Sequence, residues 1–338
     1  MAVMTFASFA LAGLTVDFRS NPSFALAIIG LLAVSFFYRY RRPNPQLCAI
    51  TEAAAQMLLI LLFGVLLTYA AAAANLPYRD AELYAIDRAL GWNRRAYLDF
   101  INSRPVLAEI ARYCYLSLLP QFVLVPTVLM MANQLPHLRQ WMLAFGLALV
   151  ATSGISIFTP SVTAFVYLDL TPQVYADIAS TVYTPVPTLD ALRAGLFHSV
   201  QLDNLEGLIS FPSFHTAGAL TFIWALRTVP YVRWPAFVVN GVLIAAAPIY
   251  GAHYFIDLVG GAAVAFAAIA ASLWLSRRVN ADETSAVTAV ASGTTPWRTR
   301  QRYRRVQQGA MVEANCAEDD NFFALPVEPM PRADKADF

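Results

Sequence analysis

The sequence predicts an all-α fold, a polytopic bundle of transmembrane helices, on three observations. First, 58% of the residues are hydrophobic and 13% are charged, with a mean hydropathy of +0.53; soluble domains carry roughly a quarter charged residues. Second, the apolar residues are gathered into runs near the length of a bilayer span. Third, arginines recur in alternate connections between those runs, as the positive-inside rule describes. Such runs must be helical, because lipid offers no partner for open backbone groups.

The runs follow in order as Phe24–Tyr38, Ala53–Ala74, Tyr115–Ala132, Trp141–Phe158, Thr216–Val229, Pro235–Tyr250 and Tyr254–Leu275. Several are short of a full span and borrow flanking residues. Ahead of them, Met1–Val16 is apolar but lacks a basic start, so it reads as a short first span or a surface segment rather than a removed leader. No solenoid repeat is present. Cys48, Cys114 and Cys316 have no metal-ligand spacing and imply no disulfide framework.

The short connections with Arg39, Arg41 and Arg42, then Arg139, then Arg227 and Arg233, then Arg277 and Arg278 fall on one side if the seven runs alternate. That side is expected to be cytoplasmic, in a bacterial inner membrane. Two longer loops, about 75–114 and 159–215, lie on the other side, expected to be periplasmic. The domain reading is 1–50 for the N-terminal membrane segments, 51–279 for a catalytic membrane core, and 280–338 for a polar, disordered cytoplasmic tail. The tail's Arg298–Arg305 cluster reads as a lipid-contacting flank.

Ionisable residues in or beside a span are costly and point to function. Two segments concentrate them: Ser210-Phe211-Pro212-Ser213-Phe214-His215-Thr216 ahead of the fifth run, and Tyr250-Gly251-Ala252-His253-Tyr254-Phe255-Ile256-Asp257 at the start of the seventh. Alternation puts both on the outer face. His253 and Asp257 are four residues apart and share a helix face. A carboxylate there accepts one imidazole N–H and leaves the other nitrogen free as a nucleophile. Ser213 can cap the following helix, whose first amides can hold an anion. His215 could then protonate a leaving oxygen. Gly260 and Gly261 permit close helix packing.

Pro212-Ser213-Phe214-His215 resembles the second signature of the type 2 phosphatidic acid phosphatase (PAP2) superfamily, usually Pro-Ser-Gly-His. Gly251-x-His253-x-x-x-Asp257 resembles the end of its third signature, Ser-Arg-x5-His-x3-Asp. The resemblance covers about 53–275 and implies a six-helix core, with one or two helices preceding it. It implies that His253 is the nucleophile, Asp257 its orienter and His215 the general acid and base. Ala246 and Ala247 stand where the third signature has serine and arginine. The first signature, Lys-x6-Arg-Pro, has no intact copy; Arg104-Pro105 ends like it, with Tyr97 at the lysine position. Phe211-Pro212-Ser213-x-His215 and His253-Tyr254-x-x-Asp257 resemble the branch of inositol phosphorylceramide synthases, which move a phospho-headgroup between lipids.

The expected function is therefore a membrane phosphatase or phosphotransferase. It acts on a phospholipid or lipid phosphate among membrane lipids, with water, a polyol or a lipid hydroxyl as acceptor. No cofactor, metal or nucleic-acid partner is implied. With the family arginines missing, Arg193, His198 and Arg79 join Ser213 as the candidate phosphate-binding residues. A transporter or scaffold using the histidines as a proton relay is the competing class, and a haloperoxidase is a remote one. His137, Tyr167, Tyr175 and Tyr183 read as interfacial residues, Glu206 as a solvated loop residue, and Asp80–Asp87 as a polar loop face or the start of an interfacial helix with Arg88, Arg94 and Arg95.

Overall fold

The computed structural model describes residues 1–170 and 183–291. Tyr175 and the Arg298–Arg305 cluster lie outside the described residues. Met1–Arg277 forms one compact unit, and Arg278–Phe338 forms a second, of which the end of the last helix is described.

The elements are α1 Ala2–Ala12, β1 Thr15–Asp17, α2 Pro22–Tyr40, α3 Pro45–Ala73, α4 Asp80–Ala89, α5 Arg94–Asn102, α6 Pro105–Leu116, α7 Leu118–Met131, α8 Leu135–Phe158, α9 Ala164–Tyr167, α10 Val186–Arg193, β2 Ser199–Gln201, α11 Phe214–Leu226, α12 Arg233–Tyr250 and α13 Phe255–Ala291. Prolines at the first helical turn open α2, α3 and α6, where the missing N–H costs nothing. Asn44 caps α3 and Asn93 caps α5, each through a side-chain oxygen on a first-turn amide.

Five described helices are long and apolar enough to cross a membrane, or six if α6 and α7 are one broken span bent by 57°. The protein is an integral membrane protein with an all-helical fold. The break has a local cause: Pro120 has no N–H for the Leu116 carbonyl, and its ring crowds that carbonyl. Ser117 bridges the gap, donating its hydroxyl to the Cys114 carbonyl and accepting from Gln121. Taken as one span, the pair begins at Pro105, ten residues before the apolar run does, because α6 carries Glu109 and Arg112 on an exposed face, paired at 2.9 Å.

α1 has 11 residues, about 16 Å of helix, which is half a bilayer. Thr5 donates to the Phe63 carbonyl of α3, and Gly13 ends the helix in the left-handed region at φ 67°. The chain then enters β1, which pairs in parallel with β2. α1 and α2 both pack on α3, so residues 1–50 belong to the same unit as the core. An aromatic layer of Phe122, Trp141, Phe145 and Phe222 joins α7, α8 and α11. Small residues, Ala148, Ala217, Ala265 and Ala268, let α8, α11 and α13 approach.

Two of the arginine-bearing connections, those next to Arg139 and Arg227, meet at one end of the bundle. There Thr228 donates to Gln134 and the His137 ring meets the Ala225 carbonyl. The His137 ring also packs against Trp224 at a tilt, 4.8 Å between centroids. The segments carrying His215 and His253 meet at the opposite end.

Candidate active site

At that opposite end, α12 stops at Tyr250 and α13 starts at Phe255, so residues 251–254 form a tight turn. Asp257 is fully buried and its side chain organises the turn. One carboxylate oxygen, Oδ2, lies 3.1 Å from His253 Nδ1 and accepts from the Ser210 hydroxyl at 2.8 Å and the Tyr254 amide at 3.0 Å. The last bond is that of a capping box, a third-position acid reaching back to the amide before its helix. With Nδ1 engaged, Nε2 is the free nitrogen of His253.

The Ser213 amide donates to the Asp257 carbonyl at 2.9 Å, tying the start of α11 to the first turn of α13. Ser213 is buried, and its hydroxyl caps α11 by accepting from the Thr216 amide at 3.3 Å. The first amides of α11, on Phe214 and His215, have no partner within the helix. The approach of the two helices depends on Gly261, where a Cβ would lie 2.3 Å from the Ser213 oxygen.

His215 faces His253 with 5.9 Å between ring centroids. Its ring stacks on Tyr115 at 4.3 Å and 14°, and its Nδ1 lies 3.5 Å from the Tyr115 hydroxyl. Gly251 completes this wall: a Cβ there would fall 2.7 Å from the His253 ring and 2.8 Å from the Tyr115 hydroxyl.

Both histidines, Tyr115 and Gly251 line a cavity of about 400 Å³. Leu61, Leu149, Phe122 and Thr163 also line it. Thr163 has φ 90°, a strained conformation for a β-branched residue. Its hydroxyl is buried without a hydrogen-bond partner.

The strongest support of the turn comes from residues that the sequence pattern understates. Asp80 and Asp87, read as a polar loop face or the start of an interfacial helix, are on α4 and only 3% and 2% exposed. Asp87 accepts from the Phe255 and Ile256 amides at 2.8 and 2.9 Å. Asp80 accepts from the Tyr254 and Ser161 hydroxyls at 2.9 and 2.6 Å and from the Val162 amide at 3.0 Å. Arg94, at the start of α5, is also buried; it donates to the carbonyls of Pro248 and His253 and lies over the Tyr254 ring. These three side chains hold the backbone on both sides of His253. Burial pushes the Asp87 carboxyl above the usual range against the pull of the Phe255 and Ile256 amides and of Arg94. Burial lowers the Arg94 guanidinium, while Asp87 and Asp257 hold it up. A signal was present in the sequence: Asp80, Leu83 and Asp87 fall on one stripe of α4, and all three are buried.

The remaining candidates stand elsewhere. Arg79 is half exposed and paired with Glu82 at 2.8 Å. Arg193 donates to the Leu76 carbonyl at 2.8 Å and stacks on Tyr78 at 3.8 Å; it borders a smaller pocket beyond Ser161 and Ser210. The His198 side chain is exposed, and its carbonyl joins the β1 pairing. The structure brings none of the three into the cavity wall. Glu206 has a buried carboxylate oxygen, and its amide donates to Tyr69, so it is less solvated than a loop position implies. Among the described residues, no group of three or more His, Cys, Asp or Glu is placed to hold a metal ion.

No curated protein and no solved structure matches the chain significantly. A family model does: that of the PAP2 superfamily matches residues 81–271, more than half of the 338 residues, and covers α5, both histidine segments and all of α4 but Asp80. With an all-helical membrane fold and a match of that length, the chain belongs to the PAP2 superfamily, whose members are typically phosphatases or phosphotransferases.

Proposed function

We propose that the chain is a membrane enzyme that transfers a phosphate-containing group from a lipid donor through a phosphohistidine on His253. The observation that carries the reading is the buried His253–Asp257 pair facing His215 across one end of an apolar cavity. His253 Nε2 attacks phosphorus, forming a P–N bond as the P–O bond to the leaving group breaks. His215 gives its proton to the departing oxygen. Asp257 holds the Nδ1 proton and balances the charge that builds on the His253 ring. In the second half, an acceptor hydroxyl loses its proton to His215 and attacks phosphorus, and the P–N bond breaks. Microscopic reversibility makes His215 acid in one half and base in the other.

Water as acceptor gives a phosphatase; a polyol or a lipid hydroxyl gives a headgroup transferase. The motifs Phe211-Pro212-Ser213-x-His215 and His253-Tyr254-x-x-Asp257 support the transferase branch resembling inositol phosphorylceramide synthases. Arginine asymmetry supports a cytoplasmic arginine end and an outward-facing site in a bacterial inner membrane. A proton relay is less well supported. Among the described residues, the buried charged side chains Asp80, Asp87, Arg94, His253 and Asp257 all gather at one end, not along a path through the bilayer.

The test is purified protein with radiolabelled lipid phosphates and phospholipids, with and without inositol. Acid-labile label on the wild-type chain, absent from His253→Gln, is expected. Wild-type turnover by that variant would overturn the reading.

A further inference from the structure

We infer that Tyr115 is a further catalytic side chain, whose hydroxyl donates to a phosphoryl oxygen as His253 attacks. The inference rests on the phosphohistidine reading above and starts from the oxygens that such a reaction must hold. As Nε2 of His253 approaches phosphorus, charge gathers on the oxygens that stay behind, and donors fixed in advance at those positions lower the barrier. Ala247 stands where the third signature has arginine, and among the described residues the cavity wall contains no arginine and no lysine. Neutral donors have to serve.

Seven hydroxyls line the cavity, and five of them already donate elsewhere. Ser161 and Ser210 donate to Asp80 and Asp257, while Thr68, Thr152 and Tyr250 donate to the carbonyls of Val65, Ala148 and Ala108. Tyr115 and Thr163 remain, and Tyr115 is set against both histidines. Its ring stacks on His215, 14° from parallel. An imidazole nitrogen makes its hydrogen bonds in the plane of its ring, so a stacked phenol does not satisfy it, and 3.5 Å is beyond the usual range for an O–H donor. The hydroxyl is therefore uncommitted. On its other side stands the nucleophile. A single point, where a Cβ on Gly251 would fall, lies 2.8 Å from the Tyr115 hydroxyl and 2.7 Å from His253 Cδ2, the ring carbon bonded to Nε2. A phosphoryl group on Nε2 projects its oxygens into the space the two share.

The fold fixes this position from a distance. Tyr115 is the last residue but one of α6, beside the break. Ser117 at the break accepts from Gln121 at 3.1 Å, and Gln121 accepts from the fully buried Asn240 of α12 at 2.8 Å. That chain ties the break to the helix ending at Tyr250, whose ring lies 6.0 Å from that of Tyr115. The phenol is thus held before substrate arrives, as an effective oxyanion donor must be.

The full-length protein in lipid nanodiscs is given radiolabelled phosphatidylinositol, phosphatidylglycerol or phosphatidic acid, and single-turnover labelling of His253 is compared for wild type and Tyr115→Phe. Phenylalanine keeps the stack and loses only the hydroxyl. The expected result is labelling at least about 10-fold slower at saturating donor, as for a lost hydrogen bond to a charged group, with KM little changed. A second readout is one that packing alone does not move. In phosphorothioate forms of the two diesters, sulfur, a poor acceptor, replaces one or the other non-bridging oxygen. In wild type the isomer with sulfur towards Tyr115 should react several-fold more slowly than its partner, and Tyr115→Phe should abolish the difference. If Tyr115→Phe does not fold, trifluorotyrosine at position 115 keeps the ring and the hydroxyl but is intrinsically more acidic; the loss of rate at high pH should then move to lower pH, with His215 and His253 unchanged. Wild-type labelling by folded Tyr115→Phe, a sulfur preference that survives it undiminished, or an unmoved alkaline limb would overturn the role of Tyr115 and leave the phosphohistidine reading in place. No label from any donor, or label that persists in a folded His253→Gln variant, would overturn the phosphohistidine reading and this inference with it.

Discussion

Replacing Gly261 by alanine tests whether the site depends on the closeness of α11 and α13. The added Cβ would stand 2.3 Å from the Ser213 carbonyl oxygen and 3.0 Å from the Thr216 Cβ. Carbon–oxygen contacts settle near 3.3 Å or beyond, and the blocking oxygen is backbone, so α13 must withdraw from α11 by about 1 Å. Asp257 lies one turn before Gly261 and would move with it, stretching the 2.9 Å bond from the Ser213 amide and the 2.8 Å bond from Ser210. Overpacking of this kind costs about 1–3 kcal/mol in stability. A shift of about 1 Å in a catalytic group costs about 100-fold in rate. Turnover of the labelled donor should therefore fall about 100-fold in Gly261→Ala, with a lower unfolding midpoint in detergent. Gly154→Ala and Gly241→Ala serve as controls, because nothing stands within 4 Å of a Cβ at either position. Both should keep wild-type turnover and gain up to about 1 kcal/mol from helix propensity. Wild-type turnover in Gly261→Ala would refute the view that this contact sets the geometry of Asp257.

Other substitutions probe the rest of the site. Arg94→Met removes the donor to the Pro248 and His253 carbonyls and leaves Asp87 without its neighbouring charge; a stability loss of about 3–5 kcal/mol is expected in denaturant titrations, with part recovered in Arg94→Lys. Asp257→Asn keeps the shape but loses the charge that fixes the His253 tautomer, and single-turnover transfer to His253 should slow by about 10³-fold or more. Tyr115→Phe keeps the stack on His215 but removes the hydroxyl; kcat should fall by about 10-fold or more, with stability within about 1 kcal/mol of wild type. Thr163→Ala removes a buried, unpartnered hydroxyl and leaves the strained backbone in place, so KM should rise at least several-fold while the unfolding midpoint stays nearly unchanged; Thr163→Ser should restore KM.

Much of the fold was legible because a bilayer allows few solutions. Runs of apolar residues in lipid have to be helices, and all seven runs coincide with helices in the structure. The broken span was less legible. Glu109 and Arg112 interrupt the apolar pattern of α6, so hydropathy starts the third span too late. The pairing of His253 with Asp257 was readable from their four-residue spacing, but the shared helix face was not what produced it: His253 lies in the turn ahead of α13, and Asp257 reaches back to it from the first turn of the helix.

By itself, then, the sequence determined the helices, the end of the bundle where the histidines meet and the pairing of His253 with Asp257, since each follows from local periodicity and alternation across a membrane. Tertiary structure alone decided what surrounds that pair. Arg79 and Arg193 were plausible by position, yet each is held by a nearer partner, Glu82 in one case and Leu76 with Tyr78 in the other. Asp80 and Asp87 read as a polar loop face or the start of an interfacial helix with Arg94, yet all three are buried against the turn that carries His253, more than 150 residues along the chain. The physical reason is the same in both directions. A charged side chain goes where its hydrogen bonds can be met out of water, and which carbonyls and amides stand open to meet them is known only once distant segments have packed.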